Sequence, residues 1–130
     1  MNQEKRKYTR LPININTELV THDGEVHSCT SENLSFGGAM LKLPENSRLK
    51  IGDTCEVSLV LQEQPQRLAI RFQCKVVNSR NNTLNLQFTG VFAENYKDFV
   101  YLMVNESDNP EVLMEEMSRN PGYEISTIKI

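Results

Sequence analysis

A chain of 130 residues with a net charge of −3, 38% hydrophobic and 24% charged, has the proportions of one soluble globular domain, which excludes a disordered, collagen-like or coiled-coil chain. No apolar run approaches the roughly 18 residues of a membrane span. The opening Met1-Asn2-Gln3-Glu4-Lys5-Arg6-Lys7 has no hydrophobic stretch behind its basic residues, so no secretory signal is expected and the expected location is cytoplasmic.

The elements read as strands first and helices last. Ile13, Ile15 and Leu19 fall near period two, as in a half-buried strand from Ile13 to Val20. Asp23-Gly24 is a hairpin signal, because both residues tolerate positive φ, and it leads into a more polar strand from about Val26 to Asn33. Phe36-Gly37-Gly38 breaks that strand, and Ala39–Leu43 resumes extended structure. After a loop over Pro44–Lys50 and a turn at Gly52-Asp53, Cys55, Val57, Leu59 and Leu61 share one strand face. Beyond Gln64-Pro65-Gln66, the residues Leu68, Ile70, Phe72, Cys74 and Val76 do the same. The hairpin signal Asn81-Asn82 leads to Leu84, Leu86 and Phe88, again spaced by two. Six short strands, each with one apolar face, predict a mainly β fold: an antiparallel sheet curled into a six-stranded barrel, which removes exposed edges.

The period then becomes helical at Phe92, Tyr96, Phe99 and Met103. Asn109-Pro110-Glu111 opens a second helix, with Asn109 as cap, Leu113 and Met117 facing inward, and Asn120-Pro121-Gly122 as the stop. Both helices are acidic on their outer faces. The tail from Tyr123 to Ile130 alternates weakly and fits either an edge strand or a free end. The expected division is a flexible basic segment 1–12, a barrel core 13–92, C-terminal helices 93–120 and a tail 121–130.

Residues 1–10 carry Lys5, Arg6, Lys7 and Arg10 against Glu4 alone, while the rest of the chain is acidic. A basic head on an acidic body argues against a nucleic-acid polymer as partner, which calls for a whole positive face, and suits a small anion gripped at one place. No GxxxxGK[ST] loop, GxGxxG turn or GxSxG elbow occurs, and no nucleophile, base and orienting group belong together, so no enzyme is expected. His22 and His27 lack further ligands at usable spacing, so no metal site and no cofactor are expected. Cys29, Cys55 and Cys74 are odd in number and without CxxC spacing, as in reduced thiols.

Two clusters remain. Arg6 and Arg10 stand four apart just before the first strand, and a guanidinium binds phosphate bidentately, reads the O6/N7 edge of guanine, or stacks on its ring. Lys5 and Lys7 add supporting charge. Asn33 and Ser35 lie two apart on a strand, so both face one way and offer an amide and a hydroxyl. Gly37 and Gly38 let a ligand approach the backbone closely.

This pair of clusters resembles the PilZ domain family, receptors for the second messenger cyclic di-GMP, marked by RxxxR and, one hairpin later, [D/N]xSxxG. Arg6 and Arg10 match the first element, and Asn33, Ser35 and Gly38 match the second. The resemblance implies a six-stranded antiparallel barrel with C-terminal helices and a mobile RxxxR segment that wraps over the ligand. It assigns Arg6 and Arg10 to guanine and phosphate contacts, Asn33 and Ser35 to the barrel-side half of the ligand, and Gly38 to close approach. Asn33 stands where Asp is commoner, which removes a charged acceptor for guanine N–H groups. The expected function is a cyclic di-GMP receptor whose N-terminal segment orders on binding and alters the surface offered to a downstream protein partner. The family ties such switches to motility, adhesion and biofilm formation. The alternatives are a PilZ-like interaction module that binds no nucleotide and acts through its acidic helices, and a small barrel for single-stranded nucleic acid. The last should carry aromatics on an outer strand face, whereas Phe72 and Phe88 fall on apolar registers.

Overall fold

The computed structural model describes residues 8–118 and 124–126. Among these, six antiparallel strands form the barrel: β1 (Asn16–Thr21), β2 (Val26–Leu34), β3 (Gly38–Lys42), β4 (Thr54–Gln62), β5 (Leu68–Arg80) and β6 (Thr83–Phe92). Their order is β3-β2-β1-β4-β5-β6, and pairing of β3 with β6 closes the ring. Helices α1 (Ala93–Glu106) and α2 (Pro110–Met117) follow. Part of the tail forms β7 (Glu124–Ser126), which lies parallel to the end of β6. The two hairpin signals act as their residue types dictate: Gly24 takes φ 92° and Asn81 φ 55°, left-handed values that glycine and asparagine accept most readily. No helix among the described residues is long and apolar enough to cross a membrane.

The inward register of every strand feeds one core, and α1 covers one end of it. Phe99 of α1 is fully buried, its ring edge-on to Phe72 at 4.9 Å, Phe88 at 5.7 Å and Phe36 at 5.9 Å, a geometry that aromatic quadrupoles favour. Phe36 belongs to the β2–β3 turn, so the aromatic cluster ties that turn to the helix.

The structure departs from simple alternation in three places. Leu61 and Leu68, expected on the inner face, are 39% and 47% exposed, while Val60 is buried. The β4–β5 register shifts between Val60 and Gln62, and an extra residue in β4 reverses which of that strand's side chains face in, whereas Leu68 is exposed as the first residue of β5. Strand β1 starts three residues later than the apolar pattern suggests. There Ser31 takes the place of a ladder, its Oγ donating to the Ile13 carbonyl at 2.7 Å and accepting from the Ile15 N–H at 2.8 Å. Asn109 precedes α2 with Pro110 at its first turn, but its side chain makes no capping hydrogen bond.

Cys29, Cys55 and Cys74 are buried free thiols. Burial pushes Cys29 and Cys55 from the ordinary 9.0 up to about 11, and Cys74 well above 9.0. The thiolate is the reactive form, so folded protein at pH 8 should resist iodoacetamide, with alkylation of all three thiols only in denaturant, as read by mass spectrometry. Because these values are raised by folding, the unfolded chain gives up its thiol protons first, and stability should fall as pH climbs from about 9 toward 11.

Candidate ligand-binding site

The outward placement of Asn33 and Ser35 rests on a bulge. Ser31 pairs with Leu41 and Asn33 with Met40, leaving Glu32 as an extra residue. Before it the inward residues are Cys29 and Ser31; after it they are Leu34 and Phe36. Without the bulge Asn33 would face the core. The chain then turns tightly, with the Ser35 N–H donating to the Gly38 carbonyl at 2.9 Å. The Ser35 Oγ accepts from the N–H groups of Gly37 and Gly38, each at 3.2 Å.

Residues 8–11 are held by three contacts, two at this turn and one to α2. Leu11 and Leu34 exchange backbone hydrogen bonds of 2.8 and 2.9 Å, which sets Arg10 beside the Asn33–Ser35 ledge. The Tyr8 ring packs edge-on to Phe36 at 6.5 Å. Thr9 donates its N–H to Glu116 Oε1 at 2.8 Å and its hydroxyl to Oε2. Glu116 of α2 is only 6% exposed, so a buried carboxylate is satisfied by the residue between the two expected arginines.

A cavity of about 230 Å³ brings together Arg10, Asn33, Ser35, Gly37 and Gly38. Arg6, Lys5 and Lys7 lie outside the described residues. The Arg10 side chain is exposed and has no hydrogen bond or ion pair with a described residue, in contrast to Arg67, which pairs with Glu18 at 2.7 Å and Glu63 at 3.0 Å. No acidic residue among the described ones lines the cavity. The site therefore offers one unspent guanidinium, amides and a hydroxyl to an anion.

The two glycines also serve the protein itself. A Cβ on Gly38 would lie 2.1 Å from the Leu86 carbonyl oxygen, and one on Gly37 would lie 2.9 Å from the Tyr8 ring. Gly38 thus permits β3 to close on β6, and Gly37 seats the tyrosine.

Sequence reasoning missed the far wall of the cavity, formed by Met40, Val77, Asn85 and Gln87. Asn85 and Gln87 were legible as the outward register of β6, between Leu84, Leu86 and Phe88, but the strand they face was not. Larger concavities of about 440 and 750 Å³ lie elsewhere. The first is lined by His22, Asp23, Glu25 and His27 among others, yet no group of three or more His, Cys, Asp or Glu among the described residues is arranged to hold a metal.

Comparison with known proteins agrees with this architecture. No curated protein matches the sequence. Among solved structures, the PilZ domain of CeSA from a cellulose-synthesizing bacterium superimposes with TM-score 0.58 at 20% identity, over 75% of this chain and 96% of that one. The Bacillus subtilis inhibitor of motility MotI/DgrA superimposes with TM-score 0.60 at 16% identity, over 88% of this chain and 51% of that one. These likenesses extend to the fold. The PilZ domain model matches residues 4–103, a span that includes the barrel, both motif clusters and most of α1, and the chain belongs to the PilZ domain family.

Proposed function

We propose that this PilZ domain is a receptor for cyclic di-GMP. The observation that carries the reading is the meeting of Arg10 with the Asn33–Ser35 ledge in one cavity that no carboxylate among the described residues lines. That cavity, at about 230 Å³, is smaller than the roughly 300–1,000 Å³ of typical small-molecule sites. It seats part of a dinucleotide, and the remainder is left for the basic segment carrying Lys5, Arg6 and Lys7 to cover. Phosphate neutralises Arg6 and Arg10 and draws the part of segment 1–12 that precedes Tyr8 over the ligand. Because Thr9 bonds Glu116, that movement bears on the surface around α2, where a downstream partner would sense it.

Titration calorimetry tests the reading. Cyclic di-GMP should bind, GMP should fail to compete, and Arg10→Ala should weaken binding about 10- to 100-fold, the worth of one or two hydrogen bonds to a charged group. Arg6→Ala should act similarly, and affinity should fall with added salt. If the unaltered protein takes up no cyclic di-GMP, the reading fails. A protein-interaction module then stands in its place, a reading favoured by Tyr101 and Met114, 72% and 53% exposed on the acidic helices.

A further inference from the structure

Several amide side chains of this barrel serve its backbone. Asn14 donates to the Ser31 carbonyl, Asn82 donates to the Leu43 carbonyl, and Asn95 accepts from the Arg71 N–H. Those side chains are spent on the backbone. Asn33, Asn85 and Gln87 line the cavity instead, and their side chains hydrogen-bond no other described residue. Unspent amides gathered on one concave surface are what base recognition requires, since each carries an acceptor oxygen beside two N–H donors.

The strand register aligns them. Asn33 pairs with Met40, and Met40 pairs with Asn85, so the two asparagines flank the methionine in one cross-strand row. Adjacent strands are about 4.8 Å apart, which separates the asparagine backbones by roughly 10 Å. Gly38 pairs with Gln87 in the next row, and Ser35, Gly38 and Gln87 line the cavity together. Met40 gives this platform an apolar floor, and a thioether packs well against an aromatic ring.

We infer that Asn85 and Gln87 are specificity-determining residues of the site, whose amide oxygens accept hydrogen bonds from the N1–H and 2-amino group of a guanine lying over Met40. The inference rests on the proposed cyclic di-GMP function and deepens it. Asn33 and Ser35 hold one side of the ligand, and β6 supplies the opposite reader. Arg10 is left for phosphate or for the O6/N7 edge, which an amide oxygen cannot serve.

The test compares cyclic di-GMP with cyclic di-IMP, which lacks the 2-amino group, by calorimetry on the unaltered protein and on the double variant Asn85→Ala/Gln87→Ala. The unaltered protein should prefer cyclic di-GMP. The double variant should bind cyclic di-GMP at least tenfold more weakly, with its ratio of the two affinities falling toward one. Its thermal midpoint should not move, because neither side chain has a hydrogen-bond partner among the described residues to lose. Unchanged cyclic di-GMP binding in the variant overturns the inference and leaves the receptor function standing. An equal loss for both ligands also overturns it, because the contact is then not to the 2-amino group that distinguishes guanine. Absence of binding by the unaltered protein overturns both.

Discussion

Gly38→Ala should destabilise the barrel by about 3 kcal/mol or more, at or beyond the upper end of ordinary overpacking costs. The added methyl meets the Leu86 carbonyl oxygen at 2.1 Å. That oxygen belongs to backbone in the β3–β6 pairing, so no flexible side chain can swing aside. The strands must separate where the ring closes. For a domain of this size the thermal midpoint should drop by roughly 10–15 °C, read by circular dichroism. A midpoint within a degree of the parent would contradict the close approach. Loss of ligand binding in this variant then reports barrel closure, and only variants such as Arg10→Ala report contact with the ligand.

Phe99→Ala should cost about 3–5 kcal/mol, the range for emptying a buried aromatic site. Its ring is the common neighbour of Phe36, Phe72 and Phe88, so its removal empties the space between three other rings. Against a total stability of about 5–15 kcal/mol, urea denaturation should show a much lower midpoint, while Phe99→Leu should recover most of it. The effect should reach the site, because Phe36 sits between Ser35 and Gly37 and loses one of its aromatic contacts. A Phe99→Ala protein with unchanged midpoint would mean that α1 is not anchored through this ring.

What the sequence made legible was periodicity. Cys55, Val57 and Leu59 on β4, and Leu84, Leu86 and Phe88 on β6, alternate as written and are all buried. The motif residues Arg10, Asn33, Ser35 and Gly38 were found by residue type and spacing, and they do meet in one cavity. Interruptions of the period were not legible. Nothing in Ser31-Glu32-Asn33 marks Glu32 as the extra residue, nor Val60-Leu61-Gln62 the shift that exposes Leu61, because a bulge answers to the partner strand rather than to local preference. Long-range pairing was hidden for the same reason. Asn85 and Gln87 read as ordinary outward residues until β3 is seen to lie against β6, and Glu116 looked like one more solvated acid on a polar helix until Thr9 was found beneath it.

That last bond joins residues 107 positions apart, and its span has a consequence for biosynthesis. Thr9 leaves the ribosome long before Glu116 is even translated, so while the strands assemble residues 8–11 have only the Leu11–Leu34 bonds and the Tyr8–Phe36 contact to hold them. The Thr9 anchor is added only once α2 has emerged and docked, and a message cut short ahead of codon 116 would yield a barrel that lacks this third contact.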